Sequence, residues 1–187
     1  MKKILAAVLL LVGSNAIGQD IPLLDTTMKK AMSEKGYVDT KIAFRDFSGN
    51  TTDGRIYTQD SLKNKVTFVN FWFEHCAPCV AEFDALNKLY NKYKNNPGFR
   101  FISITFEKPE DIKRIVKEQH LDFPIIILER EKIYPLIFQL GFPTTIIVDQ
   151  TGKISYIKTG GPVEKKLAQQ QVDLVFSKQI DRLLFPQ

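Results

Sequence analysis

Cysteine is scarce in this sequence of 187 residues, which contains only two, Cys76 and Cys79. Disulfides that stabilise exported proteins usually close long loops, because the stabilisation grows with the number of residues enclosed. A bridge between two cysteines in a Cys-x-x-Cys pair encloses almost nothing. The pair is therefore expected to serve chemistry, and the absence of other cysteines excludes a disulfide-stapled scaffold.

Features typical of several other protein classes are also missing. The sequence has no internal repeat, no low-complexity tract and no second long apolar run after the one at its start. Its formal charge is +5 at pH 7, but basic and acidic residues are interleaved, as in residues 107–113. Interleaved charges are typical of solvated helix faces rather than of a phosphate-binding stripe, so nucleic-acid binding is not expected.

The start of the sequence has the layout of a cleaved secretory signal. Lys2 and Lys3 give a basic start, residues 4–12 form an apolar run, and small residues precede a cleavage point after Gly18. The run is too short to span a bilayer as a helix, although an uncleaved membrane anchor is the alternative. We expect a protein of the periplasm or another extracytoplasmic space. The predicted division is a signal peptide over 1–18, a lead-in over 19–40 and one domain over 41–187.

Hydrophobic periodicity predicts an α/β domain with a mixed central sheet flanked by helices. Residues 66–73 are a nearly continuous apolar run, which is typical of a strand buried on both faces. The predicted strands are 42–47, 55–58, 66–73, 99–106, 123–128, 144–149 and 153–158, with a turn-rich segment at 48–54. The predicted helices are 78–94, 109–120, 131–140 and 162–184.

The cysteine pair lies where the apolar strand runs directly into a helix. Residues three apart on a helix share a face, with roughly 5–6 Å between Cβ atoms, so a disulfide is within reach after slight adjustment. The partial positive charge of the helix N-terminus favours a thiolate over a thiol. The arrangement predicts thiol–disulfide exchange, in which Cys76 is the exposed nucleophile and Cys79 resolves the mixed disulfide.

Glu82 and His75 are further candidates beside the pair. Glu82 follows Cys79 by three residues, and a carboxyl group shielded from water there would have a raised pKa and could accept the Cys79 proton. The alternative is a glutamate that serves only solubility and the helix dipole. A protonated His75 would stabilise the Cys76 thiolate, and the alternative is a solvent-facing side chain.

The Trp72, Cys76-Ala77-Pro78-Cys79 and Glu82 positions, with the segment Gly141-Phe142-Pro143-Thr144-Thr145, resemble the exported thioredoxin-like proteins of the TlpA/ResA type. The resemblance covers roughly residues 40–185. It implies a thioredoxin-like fold with an added N-terminal β-hairpin over 42–58. It also implies an extracytoplasmic thiol–disulfide oxidoreductase that reduces specific exported proteins and receives electrons from a membrane-associated donor.

The same resemblance assigns substrate contacts. It implies a cis peptide bond before Pro143, with Phe142 offering backbone contacts and an apolar surface to an incoming peptide. Trp72 would lie under the active site, and a plain core role is the alternative. His75 departs from the family pattern, which often has tryptophan immediately before the first cysteine. Glu82 matches an active-site glutamate of the family.

Two other functions use the same fold. A thiol peroxidase of the peroxiredoxin kind has a threonine three residues before its reactive cysteine, where this chain has Phe73. A copper metallochaperone would hold Cu(I) through His75, Cys76 and Cys79, since copper prefers soft thiolates. Copper-delivery proteins of this fold, however, separate their cysteines by three residues and add a distant histidine. We therefore expect no cofactor, no resident metal and a monomeric protein.

Overall fold

The structure is a computed structural model in which residues 42–186 are described, together with residues 30, 34 and 36–38. The predicted signal peptide over 1–18 and nearly all of the lead-in over 19–40 lie outside the described residues. Within the described part of the chain, none of the helices is long and apolar enough to cross a membrane.

The described residues form a sheet of eight strands with helices on both faces. The strands are β1 (Tyr37–Val38), β2 (Ser48–Thr51), β3 (Ile56–Thr58), β4 (Val66–Phe71), β5 (Phe99–Thr105), β6 (Ile125–Ile127), β7 (Thr144–Val148) and β8 (Ile154–Thr159). The helices are α1 (Ala77–Tyr93), α2 (Pro109–Gln119), α3 (Arg130–Leu136), α4 (Lys165–Gln171) and α5 (Ser177–Leu184), with a 3-10 turn at Gln59–Leu62. A π-helical segment, Val172–Phe176, joins α4 to α5.

The sheet is mixed, with the strand order β1-β8-β7-β4-β5-β6-β2-β3. Strand β4 lies in the middle, parallel to β5 and antiparallel to β7, and all six of its residues are buried. Its side chains alternate between two hydrophobic clusters: Val66 and Phe68 in one, Val69 and Phe71 in the other. The predicted α/β architecture with a central strand buried on both faces is confirmed.

The N-terminal hairpin is confirmed, but its first strand was predicted in the wrong place. Residues 42–47 are irregular apart from one bridge at Ala43, and β2 occupies the segment predicted as a turn. The alternating apolar residues there pack as a loop against the second cluster, with Phe44 almost fully buried. Gly49 suits β2 because a Cβ there would lie 2.5 Å from Ile126 Cγ2. Gly49 therefore allows β2 to approach β6 closely where the two strands pair.

The helix predicted over 131–140 ends at Leu136. The reason is the backbone that follows, since Phe138 and Gln139 have φ of 55° and 60° in the left-handed region, which ends a right-handed helix. The other predicted strands and helices before residue 160 agree with the structure to within two residues at each end. The short strand β1 lies in the segment predicted as a lead-in and was not predicted.

The C-terminal helix predicted over 162–184 begins later, at Lys165, and is not regular throughout. Its turn widens in the π segment that follows Gln171. The helix α4 packs against α1, so the end of the chain reaches the helix that carries the cysteines.

Candidate active site

The two cysteines form a disulfide at the start of α1, with their Cα atoms 5.2 Å apart. Cys76 is the N-cap residue, and its sulfur accepts a hydrogen bond from the backbone N–H of Cys79 at 3.3 Å. Pro78 lies in the first turn, where its fixed φ suits a helix and its missing N–H costs nothing. The first turn contains no acidic residue, so a Cys76 thiolate would meet only the favourable end of the helix dipole.

The burial of the two sulfurs differs from prediction. Cys76 was expected to be exposed, but only 5% of it is accessible, against 1% for Cys79. Both belong to the first hydrophobic cluster, and the half-buried Phe73 and Phe142 pack against that cluster. The exposed-nucleophile prediction is therefore wrong for this disulfide form, because both cysteines are buried within a hydrophobic cluster. Cys76 is still the more accessible of the two.

Glu82 is buried in the second turn of α1, with 1% of its surface accessible. Its Oε1 accepts a hydrogen bond of 2.9 Å from Gln171 Nε2, whereas its Oε2 is buried without a hydrogen-bond partner among the described residues. Burial raises the pKa of Glu82 to about 8, although Lys158 and the Gln171 hydrogen bond oppose the rise. The predicted shielding and raised pKa are confirmed, and the role of Glu82 in exchange remains a prediction.

The loop after β8 brings Glu82 next to the proline segment. A Cβ on Gly161 would lie 2.7 Å from Glu82 Oε1 and 3.4 Å from Pro143 Cγ, so a larger residue there would have to displace the Glu82 carboxyl group. The Phe142–Pro143 peptide bond is cis, as the resemblance implies, and the carbonyl of Pro143 accepts a hydrogen bond from Gly160 N–H at 2.8 Å. We call Glu82, Gly161 and Gln171 the inner side of the site.

An aromatic patch lies beside the disulfide and consists of Phe73, Phe106, Tyr134 and Phe142. Phe142 makes edge-on contacts with all three others, at centroid distances of 5.4 Å to Phe73, 5.9 Å to Phe106 and 6.0 Å to Tyr134. The exposed Arg130 lies 5.0 Å over the Phe106 ring and donates a hydrogen bond to Tyr134 Oη. All four rings are half-buried, so the patch exposes part of its apolar surface to solvent.

Trp72 is fully buried, so its side chain presents no surface to a substrate. Its indole N–H donates a hydrogen bond of 2.6 Å to Ser103 Oγ, and its ring packs edge-on against Phe83 at 5.1 Å. The prediction of a substrate contact is wrong, since the side chain fills the space between β5 and α1. The core role is the correct alternative.

The outer rim of the site, which we define as Glu74, His75 and Arg114, faces solvent. His75 is exposed, in agreement with its solvent-facing alternative, and its influence on the thiolate remains a prediction. The Glu74 carboxylate lies 2.7 Å from the guanidinium of Arg114. The backbone N–H of Glu74 also donates to Glu107 Oε1, so two polar contacts hold this residue at the rim.

Comparison with known proteins identifies the family. The AhpC/TSA family model matches residues 41–157, well over half of the chain. The chain belongs to the AhpC/TSA family.

Two relatives of this AhpC/TSA-family protein are named as a thiol-disulfide oxidoreductase and a thioredoxin-like protein. It is 29% identical to the thiol-disulfide oxidoreductase ResA of Halalkalibacterium halodurans over 73% of this chain and 74% of that protein. It is 31% identical to the thioredoxin-like protein YneN of Bacillus subtilis over 93% of this chain and 99% of that protein. Together with the Cys76–Cys79 pair, these likenesses show a thiol–disulfide oxidoreductase of the ResA, thioredoxin-like type.

Solved structures agree on the fold. A thiol:disulfide interchange protein of the thioredoxin family from Chlorobium tepidum superimposes with a TM-score of 0.62 and 25% identity. The match covers 79% of this chain and 99% of that one. The thioredoxin-like fold expected from the motif combination is therefore confirmed.

Sequence reasoning about this AhpC/TSA-family protein missed the neighbours of Glu82. Gln171 is 89 residues away along the chain, and nothing in its local pattern distinguishes it from Gln169 or Gln170. Gly161 had a weak signal, since the run Gly-Gly-Pro at 160–162 marks a tight loop directly after a strand. Arg130 and Tyr134 also escaped notice, because the pattern of α3 indicates only a short amphipathic helix.

Proposed function

We propose that this protein reduces disulfides of specific exported proteins outside the cytoplasm, through the Cys76–Cys79 couple. The observation that carries the proposal is the disulfide at the N-terminus of α1. Both cysteines lie in the first hydrophobic cluster, and the same helix buries Glu82 one turn later. The ResA relatives support the reaction class. The signal-like layout of residues 1–18 supports the location.

The first step is nucleophilic attack by Cys76. Its thiolate attacks one sulfur of the partner's disulfide, so a mixed disulfide forms and one partner thiolate leaves. The N-cap position favours this thiolate because the helix dipole and the Cys79 N–H face the sulfur.

The second step is resolution by Cys79. Cys79 attacks the Cys76 sulfur, the mixed disulfide breaks and the second partner thiolate leaves. The Cys79 proton passes to the Glu82 carboxylate, so two electrons go to the partner and one proton stays on the enzyme. A carboxyl group whose pKa is raised to about 8 holds that proton at neutral pH, which is the state expected of the oxidised protein.

Substrate contact falls to the segment before the cis proline and to the aromatic patch. Phe142 and Pro143 precede β7, and Phe142 is the centre of the patch. An extended segment of a partner would lay its backbone along Phe142 and its apolar side chains on these rings. His75 would lie at the solvent-facing side of this contact.

A membrane-associated donor dithiol would complete the cycle. Its thiolate would attack Cys76 of the oxidised protein, Cys79 would leave and take the proton back from Glu82, and the donor would end as a disulfide. We propose that the protein acts as a monomer in both half-reactions.

The two alternatives have less support. A peroxidase would need threonine where Phe73 forms part of the aromatic patch. A copper carrier would need further ligands, and within the described residues no group of three or more His, Cys, Asp or Glu side chains is arranged to hold a metal ion.

The equilibrium potential of the Cys76–Cys79 couple against glutathione tests the direction of transfer. A value near −270 mV supports a reductant, whereas a value near −120 mV indicates an oxidant and contradicts the proposal. Trapping supplies the partners: Cys79→Ser should leave exported proteins bound to Cys76, and the Cys76→Ser, Cys79→Ser double variant is the control. Copper bound in stoichiometric amount by the reduced protein would favour the carrier instead.

A further inference from the structure

The two oxygens of the Glu82 carboxyl group have different surroundings. Oε1 accepts the hydrogen bond from Gln171 and lies against the backbone of Gly161. Oε2 is equally buried but has no hydrogen-bond partner among the described residues. Buried polar atoms without a partner are rare in folded proteins, and each one calls for an explanation.

Gln171 is placed by the tertiary structure to make this difference. It is the last residue of α4, it is half-buried, and it directly precedes the π segment. π-Helical turns inside α-helices are frequent at functional sites. The packing of α4 against α1 brings the Gln171 amide within hydrogen-bond distance of Glu82.

We propose that Gln171 is a positioning residue for disulfide exchange, because its N–H bond to Oε1 leaves Oε2 as the oxygen that trades a proton with Cys79. This inference rests on the role proposed above for Glu82. An oxygen that already accepts an N–H is the carbonyl-like oxygen of a neutral carboxyl group, so the proton resides on the other one. The partner that Oε2 lacks in the disulfide form is then the Cys79 thiol of the reduced form.

The proton and electron balance of this step is complete within the exchange reaction. When a donor thiolate attacks Cys76, the bond between the two cysteine sulfurs breaks and Cys79 leaves with the electron pair. Cys79 then takes the proton from Oε2, which forms an S–H bond and leaves a carboxylate. Resolution of a mixed disulfide by Cys79 runs the same proton transfer in reverse.

The groups that face Glu82 come from every element around it. From β8, the half-buried Lys158 ammonium attracts the carboxylate, and from α4 the neutral Gln171 amide donates to it. The loop 160–162 has no titratable side chain, and on α1 itself Cys79 precedes Glu82 by three residues, which is close to one helical turn. Since an N–H donor favours the charged carboxylate, loss of the Gln171 donor raises the pKa of Glu82 further.

The test separates the two chemical steps in the full-length protein. Reduced protein reacts with dithiobis(nitrobenzoic acid) in two phases, because Cys76 attack releases the first thionitrobenzoate and Cys79 resolution releases the second. For Gln171→Met we expect an unchanged first phase. The pH profile of the second phase should move upward by about one pH unit, the size expected for one lost hydrogen bond to a charged group. Gln170→Met, an exposed glutamine in the same helix, is the matched control.

Glu82→Gln is measured in parallel, so that the two ideas fail separately. Suppose that Glu82→Gln removes the pH dependence of the second phase, whereas Gln171→Met keeps the wild-type profile. This result would overturn the inference and leave the proposed function standing. A Glu82→Gln protein with the wild-type profile would overturn the proton role of Glu82 itself. If Gln171→Met does not fold, the isosteric Gln171→Glu serves instead, and its profile must also move to higher pH.

Discussion

The inner side and the outer rim of the site each place a glutamate close to the disulfide in sequence, but in opposite environments. Glu82 on the inner side is almost completely buried and accepts one hydrogen bond from a neutral amide. Glu74 on the outer rim has 24% of its side chain exposed and pairs with a guanidinium at 2.7 Å. The same chemical group thus has a raised pKa inside, and is paired with a permanent cation outside.

Water access explains this difference. Removal of water penalises the charged carboxylate, and neither Lys158 nor Gln171 compensates fully, so the pKa of Glu82 is raised to about 8. At the rim, water and Arg114 both stabilise a carboxylate. The carboxyl group with the raised pKa is therefore the one on the inner side. The comparison predicts large effects of changes inside and small effects outside.

The largest effect is expected for the pH dependence of stability and its loss in Glu82→Gln. The pKa of Glu82 is raised from 4.5 to about 8 by burial, so between these values the folded protein holds a proton that the unfolded chain has lost. The stabilisation is complete below pH 4.5 and is lost as pH rises through about 8. In this window the free energy of unfolding of the oxidised protein should fall by about 1.4 kcal/mol per pH unit.

Denaturant unfolding at a series of pH values measures this slope. Glu82→Gln should flatten it, whereas Asp84→Asn, which changes an exposed acid on the same helix, should leave it unchanged. An equally steep slope in Glu82→Gln would contradict the assignment of the proton to Glu82.

Gly161→Ala is the second test, because it pushes on the inner side without changing any charge. The new Cβ would lie 2.7 Å from Glu82 Oε1, so the carboxyl group or the loop has to move. We expect a loss of about 1–3 kcal/mol in the free energy of unfolding, together with slower resolution of mixed disulfides. Gly141→Ala is the control, since a Cβ there meets nothing within 4 Å. Equal losses in both variants would show that the close approach at Gly161 does not matter.

Lys158→Met should have a smaller effect on the same carboxyl group. Removal of the ammonium takes away an attraction for the carboxylate and raises the pKa of Glu82. The upper end of the steep stability window should move to higher pH by at least as much as in Gln171→Met, because the Lys158 charge opposes the rise in pKa more strongly than the Gln171 hydrogen bond does. The exposed Lys153→Met on the same hairpin is the control. A shift to lower pH would contradict the proposed attraction.

The smallest effect is expected on the outer rim, for Glu74→Gln. The ion pair with Arg114 is partly solvated, and such pairs contribute about 0–1 kcal/mol. Thermal unfolding should change little, and the pH profile of disulfide resolution should match the wild type. A profile displaced as far as that of Gln171→Met would show that the rim also controls the proton, and the distinction between the two regions would fail.

The sequence predicted most of the elements because their signals are local. The apolar run of β4, the change to a helical period at Pro78 and the Gln-Thr-Gly turn between β7 and β8 all act within a few residues. Errors arose where distant contacts overrode the local pattern. The apolar alternation of 42–47 indicated a strand, yet packing against the second cluster keeps it irregular while β2 pairs with β6.

The candidate site divides in the same way. The positions of Cys76 and Cys79 on one helical turn, and of Glu82 one turn later, could be read directly from their spacing. The exposure of Cys76 and the role of Trp72 could not be read in this way, because burial depends on which side chains from other elements cover them. The same limit applies to Gln171, since an exposed and a half-buried glutamine look alike in a helical pattern.

Residue spacing and hydrophobic period act over short stretches of chain, so they are enough to predict a redox-active cysteine pair at the start of a helix in an α/β domain. The raised pKa of Glu82 depends instead on tertiary packing, because the groups that shield it include segments about eighty and ninety residues further along the chain, at Gly161 and Gln171. A pKa follows from the dielectric and the donors around a group, and these exist only after distant parts of the chain have packed together.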